Sequence, residues 1–130
     1  MRGVRGATTA EDDTADAIRR ATQELLEELV RRNGLRPEEL AAVFFTLTPD
    51  LTAFYPSQAA RELGWRLVPL LDLGQAPGPR PVARCIRVLA LWNTTRRPEE
   101  IRHVYLRGAA GLRPDLAAGE AGEAEPPWSS

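Results

Sequence analysis

The sequence predicts a mixed α/β domain, and three observations carry that reading. Apolar runs of strand length alternate along the chain with segments patterned for helix. Proline and glycine punctuate nearly every changeover. At 130 residues and 43% hydrophobic, the chain suits one soluble domain that buries roughly two-thirds of its unfolded surface.

Arg2 to Thr9 is short, β-compatible and punctuated by Gly3 and Gly6, and reads as the first strand. Glu11-Asp12-Asp13 leads into a long helix that Asp13 or Thr14 can cap, with Ile18, Ala21, Leu25, Leu29 and Val30 as its apolar stripe. Asn33-Gly34 ends it, because glycine accepts the left-handed residue of a C-cap. Pro37 opens a short helical turn through Leu40, and Ala42 to Thr48 is the second strand. Pro49-Asp50-Leu51 breaks that strand, and Pro56 opens a second helix, Ser57 to Leu63, closed by Gly64. Trp65 to Leu70 reads as the third strand. The proline- and glycine-rich stretch Gly74 to Pro81 reads as a loop, and Arg84 to Trp92 as the fourth strand. Pro98-Glu99-Glu100 starts a helical turn before a last strand, His103 to Leu106. Residues 1–116 form the expected domain. Residues 117–130, rich in Ala, Gly, Glu and Pro, are expected to be a flexible tail.

Composition excludes several kinds of chemistry. A net charge of −1 argues against a nucleic-acid footprint. All 17 basic residues are arginine, a bias that genome base composition can produce by itself, so no lysine exists for a Schiff base or a P-loop. One cysteine rules out an internal disulfide, and one cysteine with one histidine argues against a Cys/His metal cluster. A nucleophilic dyad would have to use His103 and Cys85, and no motif surrounds either. Gly3-Val4-Arg5-Gly6 does not match the nucleotide-binding glycine spacing. No apolar stretch approaches the ~18 residues of a membrane span, so no membrane partner is expected. The N-terminus lacks the apolar core of a signal peptide, which makes the cytoplasm the expected location.

Against that background Arg87 stands out, inside the nearly unbroken apolar run from Cys85 to Trp92. Its guanidinium cannot escape burial by losing its proton. Strand alternation groups it with Cys85 and Leu89, opposite Ile86, Val88 and Ala90, so both faces read as apolar and covered. An unpartnered charge there costs several kcal/mol, on the order of a small domain's stability margin. An anionic partner is therefore expected, either a protein carboxylate or a ligand. Arg5, Arg61, Arg113 and Tyr105 add to the inventory. Arginine forks recognise carboxylates, and a site built from them suits a small dianion.

Five segments then acquire a common meaning: Arg2–Thr9, Thr48-Pro49-Asp50-Leu51, Cys85-Ile86-Arg87-Val88, Ile101–Leu106 and Leu112-Arg113-Pro114-Asp115-Leu116. In order and spacing, over roughly residues 2–116, they resemble the monofunctional, trimeric AroH-type chorismate mutases. The resemblance implies an α/β fold whose trimer forms a barrel-like core with clefts between subunits. It implies rearrangement of chorismate to prephenate, a pericyclic step that needs no cofactor or metal. By motif position, Arg87 resembles the arginine that meets the breaking ether oxygen and a carboxylate. Arg5 and Tyr105 resemble the pair that holds the other carboxylate, with Leu71 beside the site. Tyr55, in place of the family's usual phenylalanine, and Arg61 would come from the neighbouring subunit. Arg113 would close the cleft.

One departure matters. The family's glutamate toward the substrate hydroxyl falls on Gln75, whose amide keeps the hydrogen bond but loses the charge. Asp72 is the nearest carboxylate that could substitute. A second departure puts Gln58 where a lysine is often found. Two alternatives stay open: a weakly active or inactive relative that binds chorismate or a similar aromatic dianion, and a trimeric interaction module with Arg87 in an internal salt bridge.

Overall fold

A computed structural model describes residues 1–79 and 81–112. Among them five strands form one mixed sheet: β1 (Arg2–Thr9), β2 (Leu40–Leu47), β3 (Leu70–Gly74), β4 (Cys85–Trp92) and β5 (Val104–Tyr105), in the order β3-β2-β4-β1-β5. Central β4 runs antiparallel to both β1 and β2, while the edge strands β5 and β3 run parallel to β1 and β2. Two helices, α1 (Ala15–Asn33) and α2 (Pro56–Glu62), pack on each other, with α1 also against β1 and β5 and α2 against β3. Short 3₁₀ turns cover Pro37–Glu39, Pro98–Glu100 and Arg107–Leu112. No helix among the described residues is long and apolar enough to cross a membrane.

The helix ends follow the capping chemistry. Thr14 Oγ1 accepts from Ala17 N at 3.2 Å, and Gly34, at φ 67°, donates to the Val30 carbonyl at 2.8 Å. Between them Ile18, Ala21, Leu25 and Leu29 are fully buried. Leu25, Leu26 and Leu29 pack with Val4, Val43, Phe45, Val88, Ala90, Trp92 and Val104, which make the helix-facing side of the sheet. Gly6 belongs to that contact. A Cβ there would lie 3.0 Å from Leu25 Cδ1 and 3.1 Å from the Val104 carbonyl, and a backbone oxygen cannot move aside cheaply.

Three expectations are corrected. The third strand is Leu70–Gly74, not Trp65–Leu70. Gly64, at φ 98°, turns the chain, Trp65 N donates to Ala60 O at 3.1 Å, and Trp65 and Val68 close the bottom of the core instead of joining the sheet. Pairing with β2 is entered through the Pro69 carbonyl, which accepts from Val43 N at 2.9 Å. The last strand shrinks to Val104–Tyr105. Buried Asn33 takes both backbone groups of Arg102, accepting from its N–H at 2.8 Å and donating to its carbonyl at 2.8 Å. His103 Nδ1 meanwhile accepts from Arg5 N at 3.0 Å, so side chains satisfy backbone that would otherwise pair.

The third correction concerns coverage. Both faces of β4 were expected to be covered, yet in the single chain the helices cover only one. On the other, Leu71, Leu73 and Leu89 are 50%, 45% and 38% exposed. The expected flexible tail, residues 117–130, and the 1–116 boundary lie outside the described residues, as does Arg113.

Candidate active site

The open face carries the site. Its register sets Leu73, Thr46, Arg87, Ala7 and Tyr105 in one row across all five strands. The next row holds Leu71, Phe44, Leu89 and Arg5. Arg87 and Arg5 are thus diagonal neighbours on adjacent strands, with Cα atoms about 7–8 Å apart. Tyr105 lies two strands from Arg87, roughly 10 Å away. The register thus sets these three on one face of the sheet.

Arg87 is half-buried, and its Nε is a buried donor with no hydrogen-bond partner among the described residues. Among the described residues no carboxylate lies within ion-pair distance of it, so the internal salt bridge raised above is absent there. The side chain lines a cleft of about 940 Å³ walled by Thr46, Thr48, Asp50, Gln75, residues 76–79 and 81–83, and Leu112. Buried Cys85 adjoins it. Burial pushes the Cys85 thiol up, while the Arg87 charge and hydrogen bonds from Arg87 and Gln75 pull it down and Asp50 adds to the rise. Asp50 itself is held below the usual carboxylate range, first by the Thr48 hydroxyl and also by Arg84 N at 2.8 Å.

Gln75 faces this cleft. Its backbone N–H donates to Leu47 O at 2.8 Å, and its Oε1 accepts from Thr46 Oγ1 at 3.2 Å. With the carbonyl side engaged, the amide offers chiefly its N–H donors to a ligand. Asp72, the suggested substitute, does not join it. Strand alternation turns Asp72 to the helix face, where its carboxylate accepts from Ser57 N at 3.0 Å and from Ser57 Oγ. It is spent on the start of α2.

Tyr55 and Arg61 line a separate cavity of about 450 Å³ with Leu47, Leu51, Phe54 and Gln58. Tyr55 is exposed, and Arg61 Nη1 donates to Gln58 Oε1 at 3.3 Å along the same helix. Within one chain, then, Arg87 and Gln75 line one cavity and Tyr55 and Arg61 another, while Arg5, Tyr105 and Leu71 share the sheet face of Arg87 without lining either. Sequence reading missed Thr46, Asp50 and Leu112 as cleft walls. Period-two alternation in β2 puts Thr46 and Phe44 on one face, but only the β2–β4 register sets Thr46 opposite Arg87.

A one-sided mixed sheet, with a guanidinium in a cleft on its open face that no carboxylate of the described residues pairs, defines an α/β domain suited to holding a small anion. The model of the family described as chorismate mutase type I matches residues 1–116. The chain is 52% identical over 121 residues to a chorismate mutase AroH of Thermus thermophilus, covering 92% of this chain and 99% of that one. It is 41% identical over 118 residues to the chorismate mutase AroH of Bacillus subtilis (strain 168), covering 90% and 93%. Among solved structures, a chorismate mutase from Clostridium thermocellum superposes with a TM-score of 0.83 at 41% identity, covering 86% of this chain and all of that one. The chain belongs to the chorismate mutase type I family, isomerases that convert chorismate to prephenate for aromatic amino acid biosynthesis.

Proposed function

We propose that the chain carries out this isomerisation in the cleft lined by Arg87, and that copies of the chain complete each cleft. The observation that carries the reading is the buried Arg87 Nε without a partner among the described residues, on a face that also bears Arg5 and Tyr105. Chorismate is a dianion whose rearrangement is unimolecular. The protein can therefore accelerate it by holding the substrate in its reactive chair form and by stabilising the charge that develops as the ether bond breaks. Arg87 takes the ether oxygen and a carboxylate, and Arg5 with Tyr105 takes the other carboxylate. Gln75 donates to the substrate hydroxyl, and Leu71 gives an apolar wall.

Tyr55 and Arg61 reach the same ligand from a neighbouring subunit, and Arg113 closes the cleft. Their placement at a second cavity, away from Arg87 in the same chain, supports that division. So do the exposed leucines of the open face, which a homotrimer would cover. The domain proper ends at residue 116, and the cytoplasm is the proposed location.

Loss of chorismate absorbance with matching prephenate formation tests the reaction. Calorimetric titration with a bicyclic dicarboxylate analogue tests the site independently. Gln75 favours a second reading, a slow relative that binds the dianion. Tight binding without turnover would establish that reading, and neither binding nor turnover would refute both.

A further inference from the structure

Only two non-glycine residues among those described have positive φ, Arg84 at 49° and Arg107 at 50°. An L residue other than Asn or Asp is disfavoured in this left-handed setting, so something outside the local backbone holds it. At Arg107 the holder is visible. Its fork reaches back to α1, with Nε 3.1 Å from Glu24 Oε1 and Nη2 3.5 Å from Glu24 Oε2, and Nη1 lies 4.0 Å from Glu11 Oε1.

The turn that Arg107 begins is packed closely on β1. Gly108 N donates to Thr9 Oγ1 at 3.1 Å, and a Cβ on Gly108 would lie 3.0 Å from that same oxygen. Ala109, fully buried, and Leu112 pack with Ala7 and Tyr105. Leu112 is also a wall of the Arg87 cleft. A continuous set of contacts therefore runs from Glu24 through Arg107 and the turn to Tyr105 and the cleft.

We infer that Arg107 is a positioning residue: its clasp on Glu24 fixes the turn Arg107–Leu112, and through it the wall and the tyrosine that the ligand meets. The inference rests on the Arg87 cleft being the substrate site. Arg107 itself touches no reacting atom. Its loss lets the turn drift from β1, which weakens ligand binding and leaves the charge stabilisation at Arg87 intact. Because the clasp is an ion pair near solvent, salt weakens it as well.

Three variants test this: Arg107→Asn, which tolerates the left-handed backbone, Arg107→Glu, and Arg107→Glu combined with Glu24→Arg. For Arg107→Asn, KM rises roughly fivefold, the size an exposed forked pair supports, while kcat stays within about twofold. Arg107→Glu raises KM further, and the charge reversal brings it back toward wild type. Hydrogen exchange speeds up at the Gly108 and Ala109 amides and stays unchanged along β4. An unaltered KM, a fall confined to kcat, or no recovery on charge reversal overturns the inference. Absence of turnover by the wild-type chain would reject the functional reading alone, and the dissociation constant of the bicyclic dicarboxylate then replaces KM as the deciding quantity.

Discussion

At Arg87 a buried Nε donor has no partner among the described residues, and such a group is costly unless a ligand uses it. That gives an unusual pairing of outcomes. Arg87→Ala lowers kcat by about 10²–10³, the worth of one preorganised donor, yet its resistance to urea is equal to or greater than wild type, because no carboxylate among the described residues is orphaned. A drop below tenfold in kcat, or a clear loss of stability, would show that the guanidinium serves the fold. Gln75→Glu argues the complementary case. A carboxylate bonds the substrate hydroxyl more strongly than an amide, so kcat rises at neutral pH. The gain is present only while the new carboxyl is ionised, and beside the Arg87 charge its pKa is lowered, so the gain fades as pH falls through that lowered value. A kcat for Gln75→Glu no higher than wild type at neutral pH would place residue 75 away from the chemistry. The need for a partner at Arg87 was legible from residue types alone. That Asp72 belongs to Ser57 was not, because one step of strand phase decides which face a side chain takes.

Among the elements, α2 shows how a short helix is held in place. Its seven residues are too few to be stable alone. Asp72 of β3 supplies what its own N-cap, Tyr55, cannot, by accepting from Ser57 N and Oγ. Asp72→Ala strands a buried hydroxyl and an uncapped N–H, so it costs about 1–2 kcal/mol in urea unfolding. Full stability with lost activity would instead return Asp72 to the substrate. The same region shows what local pattern cannot tell. β1, α1, β2, α2 and β4 were legible because period, caps and proline punctuation agreed. Trp65–Leu70 has the composition of a strand, yet Trp65 and Val68 are used to close the core, and the pairing falls to Leu70–Gly74, where Asp and Gly give a poor strand signal. His103 was lost from the last strand for a comparable reason. Long-range bonds from Asn33 decide the backbone of Arg102, and no window of sequence around it contains them.

For the whole molecule, the open face poses the remaining question. Leu71, Leu73 and Leu89 lie on it beside Phe44, Arg5 and Arg87, an apolar surface with the site's charges embedded in it. Chains that cover such a face by cyclic, head-to-tail contacts bring two different patches together at every interface. The Arg87 cleft of one chain can then meet the Tyr55–Arg61 cavity of the next. Leu73→Asp disfavours burial of that face, so sedimentation shows smaller species and activity falls as the protein is diluted. A sharper test mixes two variants after unfolding and joint refolding. Arg87→Ala and Arg61→Ala are each impaired alone. In random cyclic assemblies roughly a quarter of the interfaces pair an intact Arg87 side with an intact Arg61 side. Activity of the mixture should therefore climb well above either parent, toward a quarter of wild type. A mixture that stays at the average of its two parents means each chain holds a complete site, and the shared cleft is then wrong.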